Sequence, residues 1–146
     1  MRNLFILLFL VSFIFLGCAH SLKSAEKIDY SKLAKELLDN LFNSYKTYNR
    51  MDFLKLIADD FSPDRQEFLN KLEEDFYGKN ILEINYFIDN VLKTQDKLVV
   101  VFKWEKKISP FESKEPILLK GKSEFVFKNV NNRWLLYQIK GDSPFR

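Results

Sequence analysis

Few side chains in this sequence can do chemistry, and their spacing excludes most reactions. There is one cysteine, Cys18, and one histidine, His20, two positions further on. A protein-bound zinc needs clustered Cys and His ligands, and no such spacing occurs, so neither a metal nor a cofactor is expected. No glycine-rich phosphate loop and no nucleophile paired with a base is present either. The carboxylates on candidate strands are Glu83, Asp89, Glu105 and Glu124. Glu83 and Glu124 alternate with apolar neighbours, the pattern of side chains that face water. Glu124 is expected to form an ordinary surface pair with Lys103 or Lys122. A carboxylate acting as general base needs burial to bring its pKa towards neutrality, and no position offers that signal. The catalytic set is therefore empty, and an enzyme is the less favoured reading. Cys18 is left as the residue with chemistry to explain.

Cys18 closes a segment with its own logic. Arg2 precedes 13 residues, Leu4–Leu16, all apolar except Ser12, and Gly17 follows. A positive charge, a short apolar run and a small residue make a secretory signal. The run is shorter than the roughly 20 residues of a membrane-spanning helix. A cysteine directly after the small residue resembles a bacterial lipoprotein signal sequence. Gly17 and Cys18 match that pattern. Phe15 stands where leucine is usual and Leu16 where a small residue is usual. The alternatives are an ordinary signal peptide with a coincidental cysteine, or cleavage after Ala19.

The lipoprotein resemblance implies cleavage before Cys18 and three acyl chains, palmitate among them. Each buried methylene contributes about 0.8 kcal/mol, so one chain binds marginally and two or more hold stably. The expected location is the cell envelope, on the outer membrane facing the periplasm if the host is Gram-negative. The chain then divides into a signal peptide (1–17), a flexible tether (18–28) and one folded domain (29–146). His20 lies in the tether as a solvated residue.

Cleavage leaves 129 residues and lowers the formal charge from +3 to +2. That length suits a single domain. With Cys18 acylated no thiol remains, so packing rather than a disulfide must stabilise it in an oxidising compartment. The apolar and aromatic content is ample for a core, with 15 phenylalanines in the whole chain. Lysines are interspersed with acidic residues, which describes a solvated surface and excludes nucleic acid as a partner.

From Ser31 to Asn49, Leu33, Leu37, Leu41 and Tyr45 recur every four positions, with Ala34, Leu38, Phe42 and Tyr48 widening the stripe into an amphipathic helix. A second, short helix is expected through Ile57 with Asp52 as its cap. Ser62-Pro63-Asp64 signals a third, with Ser62 as cap and Pro63 at the first position. Phe68, Leu69, Leu72 and Phe76 form its stripe, and Gly78 is expected to end it in the left-handed conformation. After Asn80 the period becomes two. Leu82, Ile84, Tyr86 and Ile88 alternate with Glu83, Asn85 and Phe87, and the runs 98–106, 118–130 and 134–140 follow. Thr94-Gln95-Asp96 and Asn131-Asn132 are turn candidates. The expected class is α+β, with N-terminal helices packed on a curved four-stranded antiparallel sheet.

This order resembles the NTF2-like fold, also called SnoaL-like or cystatin-like. The resemblance rests on Phe53–Phe61 after the long helix, the run Gly121–Phe127, and Trp134-x-Leu136 followed by Ile139-x-Gly141. It spans nearly all of the folded domain. It implies a sheet wrapped as a cone around the first helix, with a pocket at the wide end. Candidate pocket residues are Tyr45, Tyr48, Tyr86, Phe102, Trp104, Phe125, Phe127 and Trp134, although the same periodicity also describes core residues. On the last strand, Trp134 and Leu136 are expected on one face and Leu135, Tyr137 and Ile139 on the other. Apolar residues on both faces mean that the outer face is covered too. The resemblance implies a homodimer or an envelope protein partner there. The bland alternative is shielding by Ser143-Pro144-Phe145 folding back. The leading functional expectation is a non-catalytic, membrane-tethered module that binds a protein partner or a small apolar ligand. A periplasmic lyase or isomerase using the cone, and a structural component of envelope assembly, are the alternatives.

Overall fold

The computed structural model describes residues 29–111 and 115–145. The expected signal peptide, Cys18 and the tether lie outside the described residues. The described elements are α1 (Tyr30–Lys46), α2 (Arg50–Leu54), β1 (Ile57–Ser62), α3 (Arg65–Gly78), β2 (Lys79–Lys93), β3 (Lys97–Pro110), β4 (Ile117–Val130) and β5 (Arg133–Gly141). The strands form one sheet in the order β1-β5-β4-β3-β2. The expected four-stranded antiparallel meander is β2 to β5. A fifth strand, β1, joins parallel to β5. Its sequence, IADDFS, buries Ile57, Ala58 and Phe61 but interrupts them with Asp59 and Asp60. No alternation marks it as a strand, and the extended conformation comes from pairing with β5, where the Leu136 N–H donates to the Leu56 carbonyl at 2.8 Å.

The helix ends follow local chemistry, with shifts from expectation. Asp29 caps α1 by accepting from the amides of Ser31 and Lys32 at 3.0 and 3.3 Å. Asn49, not Asp52, caps α2, accepting from the Asp52 amide at 3.1 Å. Asp52 sits instead in the first turn, where a carboxylate meets the positive end of the helix dipole. The helix stops at Leu54 rather than Ile57 because Ile57 enters β1. The cap of α3 is Asp64, which accepts from the Glu67 amide at 2.9 Å. Ser62 cannot fill that role while it ends β1, and the Ser62–Pro63 peptide is cis. Gly78 does end α3, but not in a left-handed conformation. Lys79 is fully extended (φ −162°, ψ 160°), so helix runs straight into strand.

The core lies between α1 and the concave face of the sheet. Ala34, Leu38, Leu41, Phe42 and Tyr45 of α1 are buried. Every second residue of β3 from Leu98 to Ile108 is buried against them. Burying one such large apolar side chain contributes about 1.5–3 kcal/mol, so this single strand is a major source of stability. Bulges break the pairing of β2 with β3 between Ile81 and Glu83 and between Ile88 and Asn90. Bulges bend a strand and increase its twist. The first one corrects the expected alternation: Ile81 turns inward, and Leu82 is 44% exposed. A third irregularity puts an extra residue, Tyr137, into β5 opposite Val126 and Phe127. The β4–β5 turn uses Asn131 and Asn132, both at positive φ (51° and 62°), as the tightest hairpins require.

Candidate functional site

The innermost polar group of the cone is on a residue that belongs, by alternation, to the apolar face. Lys106 follows Phe102 and Trp104 on the inward side of β3, and its side chain is fully buried. Its Nζ donates to Tyr45 Oη at 2.9 Å, to Pro144 O at 2.7 Å and to Asp75 Oδ2 at 3.4 Å. Tyr45 Oη in turn donates to Asp75 Oδ2. Lys79, one turn beyond Asp75, pairs with the other carboxylate oxygen. A charge taken out of water is tolerated only when paired and hydrogen-bonded, and this cluster meets that condition with residues from α1, α3, β2 and β3. Two of its three charged members were legible as exceptions: Lys106 is in phase with Phe102 and Trp104, and Asp75 lies three residues past Leu72 on the buried stripe of α3. Asp75 lies on a helix, whereas the candidate carboxylates Glu83, Asp89, Glu105 and Glu124 lie on strands.

The rest of the cone is filled by rings. After β5, Gly141 takes a positive φ of 78°, and residues 142–145 cross back over the concave side. The Asp142 N–H donates to Lys122 O at 2.9 Å. The Asp142 carbonyl accepts from Trp104 Nε1 at 3.0 Å and from Ser123 Oγ. This crossing needs glycine at 121, because a Cβ there would stand 2.5 Å from the Trp104 ring and 2.7 Å from Asp142 Cβ. Phe145 then enters the core at 1% exposure. Its ring centroid lies 4.9 Å from Tyr45, 5.1 Å from Phe53, 5.7 Å from Phe125 and 5.8 Å from Phe42. The Ser143–Phe145 segment therefore covers the inner face, not the outer face as the bland alternative had it.

The predicted pocket residues separate accordingly. Tyr45, Phe102, Phe125 and Phe127 are fully buried in one cluster, with Trp104 at 5% exposure beside them. Tyr86 is partly buried at the rim, 5.3 Å from the Phe42 ring, and its hydroxyl donates to Asp39 at 2.5 Å. Tyr48 is 36% exposed, and its hydroxyl bridges the start of β2, donating to Lys79 O and accepting from the Ile81 amide. Trp134 is also partly buried, at the other end of the sheet, where Lys93 Nζ sits 5.6 Å from its ring. Phe145, whose ring meets those of Phe42, Tyr45, Phe53, Phe68 and Phe125, was not among the candidates because it lies in no periodic run. Beside it is a cleft of about 200 Å³ lined by Phe61, Pro63, Phe68, Ile139, Ser143 and Phe145, among others.

At the rim, Tyr86 and Asp39 have shifted ionisation. Burial raises the Tyr86 hydroxyl pKa well above the usual tyrosine value, and the Asp39 carboxylate raises it further. For Asp39, burial pushes the pKa up, but hydrogen bonds from Lys35 and Tyr86 outweigh it and hold the pKa below the usual carboxylate value. No group of three or more His, Cys, Asp or Glu among the described residues is placed to hold a metal ion.

The outer face of the sheet has a different make-up. Leu92, Val99 and Val126 form one cross-strand row over three strands. Tyr137 is close by, its ring 5.1 Å from Lys97 Nζ and 5.5 Å from Lys128 Nζ. Leu135 pairs with Lys128 on the same side. Ile139 departs from expectation. The extra residue in β5 reverses the alternation, so Ile139 pairs with Phe125 and packs on the core. The other half of this face is ionic. Glu105 pairs with Lys120, Lys103 and Lys122 flank Asp89, and Glu124 pairs with Lys140 rather than with Lys103 or Lys122.

This architecture is that of the NTF2-like fold. No family model and no curated protein matches the chain. Solved structures do. A ketosteroid isomerase-like protein of Erwinia carotovora atroseptica superposes with a TM-score of 0.64 at 13% identity, covering 80% of this chain and 98% of that one. An NTF2-like superfamily protein of Salmonella enterica gives 0.64 at 11% identity, covering 79% and 91%. A structure from Xanthomonas campestris named for a calcium/calmodulin-dependent protein kinase II association domain gives 0.62 at 15%, covering 78% and 88%. Identities this low carry the fold and nothing finer. The chain is thus an α+β protein of the NTF2-like class, with one more strand than expected.

Proposed function

We propose that this protein is a non-catalytic NTF2-like binding module, tethered to the bacterial cell envelope through acylated Cys18, which associates through its outer sheet face, first of all with a second copy of itself. The observation that carries this reading is the occupied cone. Phe145 and the rings around it fill the chamber that a substrate would need, which leaves the exposed Leu92 and the partly exposed Val99, Leu135 and Tyr137, grouped around the buried Val126, as the surface for a partner. Leu92 is 57% exposed in the single chain, and exposed apolar side chains grouped on one face mark interaction sites. The Xanthomonas campestris structure of this fold is named for an association domain, which is consistent with self-association.

A lyase or isomerase reading finds one favourable observation, the buried Asp75 beside Tyr45. That carboxylate is already engaged by Lys79 and Lys106, and the binding reading accounts for it without a reaction. Light scattering on residues 18–146 is expected to give a dimer for the wild type and a monomer for Leu92→Glu; a monomeric wild type refutes the self-association. Labelled palmitate is expected to enter the full chain but not Cys18→Ala, and equal labelling refutes the anchor.

A further inference from the structure

The segment 142–145 reaches the middle of the cone without belonging to any helix or strand. Asp142 ties it to β4, its amide donating to Lys122 O at 2.9 Å and its carboxylate accepting from the Lys122 amide at 3.4 Å. Beyond that residue pair, side chains grip its carbonyls: Trp104 and Ser123 on Asp142 O, and Lys106 on Pro144 O. The Phe145 amide bonds only locally, to Ser143 Oγ at 3.2 Å. Segments held this way open at lower cost than ladder-paired strands, because local opening breaks few bonds. The cleft lined by Phe61, Phe68 and Ile139 adjoins Phe145 on its solvent side. Withdrawal of the ring would join that cleft to the chamber around Tyr45 and Lys106.

We propose that residues 142–145 act as an autoinhibitory strap, an internal occupant that must withdraw before the cone takes its ligand, and that the ligand is an aromatic or apolar acid. The strap itself displays the chemistry of the site. A ring fills the space between Tyr45, Phe53 and Phe125, and an oxygen accepts from a buried ammonium. In a ligand that replaces it, the ring takes the place of Phe145 and a carboxylate takes the place of the Pro144 carbonyl on Lys106. A hydrogen bond from an ammonium to a carboxylate is stronger than one to a neutral carbonyl, which gives such a ligand the advantage it needs over the strap. The apparent affinity of the wild type is lowered by the fraction of time the strap is out. This site is separate from the outer face, so self-association and ligand binding are read in different experiments.

The test uses two probes of the same ring, 3-phenylpropionate and toluene, titrated into residues 18–146 and followed by calorimetry. Phe145→Ala is expected to bind 3-phenylpropionate at least about tenfold more tightly than the wild type, since the strap no longer competes. It is also expected to prefer the acid over toluene, and Lys106→Met in the same background is expected to abolish that preference. No gain in Phe145→Ala, or a preference unchanged by Lys106→Met, overturns the proposal. A second measurement needs no variant. In the wild type, the Trp104 indole N–H and the Asp142 amide are expected to exchange with deuterium at least about tenfold faster than the Phe102 and Phe125 amides, as a locally opening segment does. Equal protection makes the strap a permanent part of the core and overturns the proposal whatever the variants do.

Discussion

Val100, Phe102 and Trp104 of β3 are buried against α1, while Val99, Val101 and Lys103, their immediate neighbours, face the other side of the same sheet. The inward set is sealed by rings from α1, α2 and the segment after β5, ending in a paired Lys106. The outward set consists of an apolar row beside an ionic ladder. The same strands thus provide an interior closed by rings and an exterior divided between apolar and ionic side chains. The lesson is that a chamber-forming fold does not guarantee a chamber: the rings that could line one here are packed on one another and on Phe145.

The largest effect should come from striking the inner face. Phe102→Ala is expected to lose about 3–5 kcal/mol in denaturant unfolding, since it leaves a cavity in a closed core, whereas Val101→Ala next to it should cost less than about 1 kcal/mol. Equal losses would mean that the outer face is as tightly packed as the inner one, against the comparison drawn above. Next is the charged cluster. Asp75→Ala leaves Lys106 without its buried carboxylate and should cost about 3–5 kcal/mol. Pairing it with Lys106→Met should restore much of that loss, because two apolar side chains tolerate burial. A double variant as unstable as the single one would show that the cluster does more than satisfy itself.

The smallest effect concerns the rim. The raised Tyr86 pKa means that the folded state keeps this proton after the unfolded chain has lost it. Its contribution is complete below the ordinary tyrosine pKa of about 10 and fades as the pH rises above that. Tyr86→Phe should remove the latest step from an alkaline absorbance titration of the tyrosines and flatten the loss of stability there. For Asp39 the sign is opposite. Its lowered pKa stabilises the fold above the ordinary carboxylate pKa, and that contribution is lost as the pH falls through the lowered value.

Much of the fold could be read in advance because periodic patterns report burial directly. The stripe of α1 and the alternation of β3 each follow from one element packing on one face, so period alone located them. The misreadings share one cause, which is contact between residues distant in sequence. β1 was missed because Asp59 and Asp60 disguise it and β5 supplies its pairing. Leu82 and Ile139 changed faces because bulges shift the count by one residue. Of the candidate pocket residues, Tyr45, Phe102, Phe125 and Phe127 pack together in the core, whereas Tyr48 and Trp134 lie towards opposite ends of the sheet.

The sequence by itself determined the helices, the four-stranded meander, the α+β order, the aromatic supply of the core and the anomaly of Cys18 behind its apolar run. Only the tertiary structure decided that Lys106 and Asp75 meet, that Gly121 makes way for Trp104, and that Phe145 occupies the centre of the cone. The physical reason is range. Periodicity is set by each residue's own neighbours along the chain, but a buried ion pair and a ring inserted from an irregular segment depend on which surfaces come together after folding.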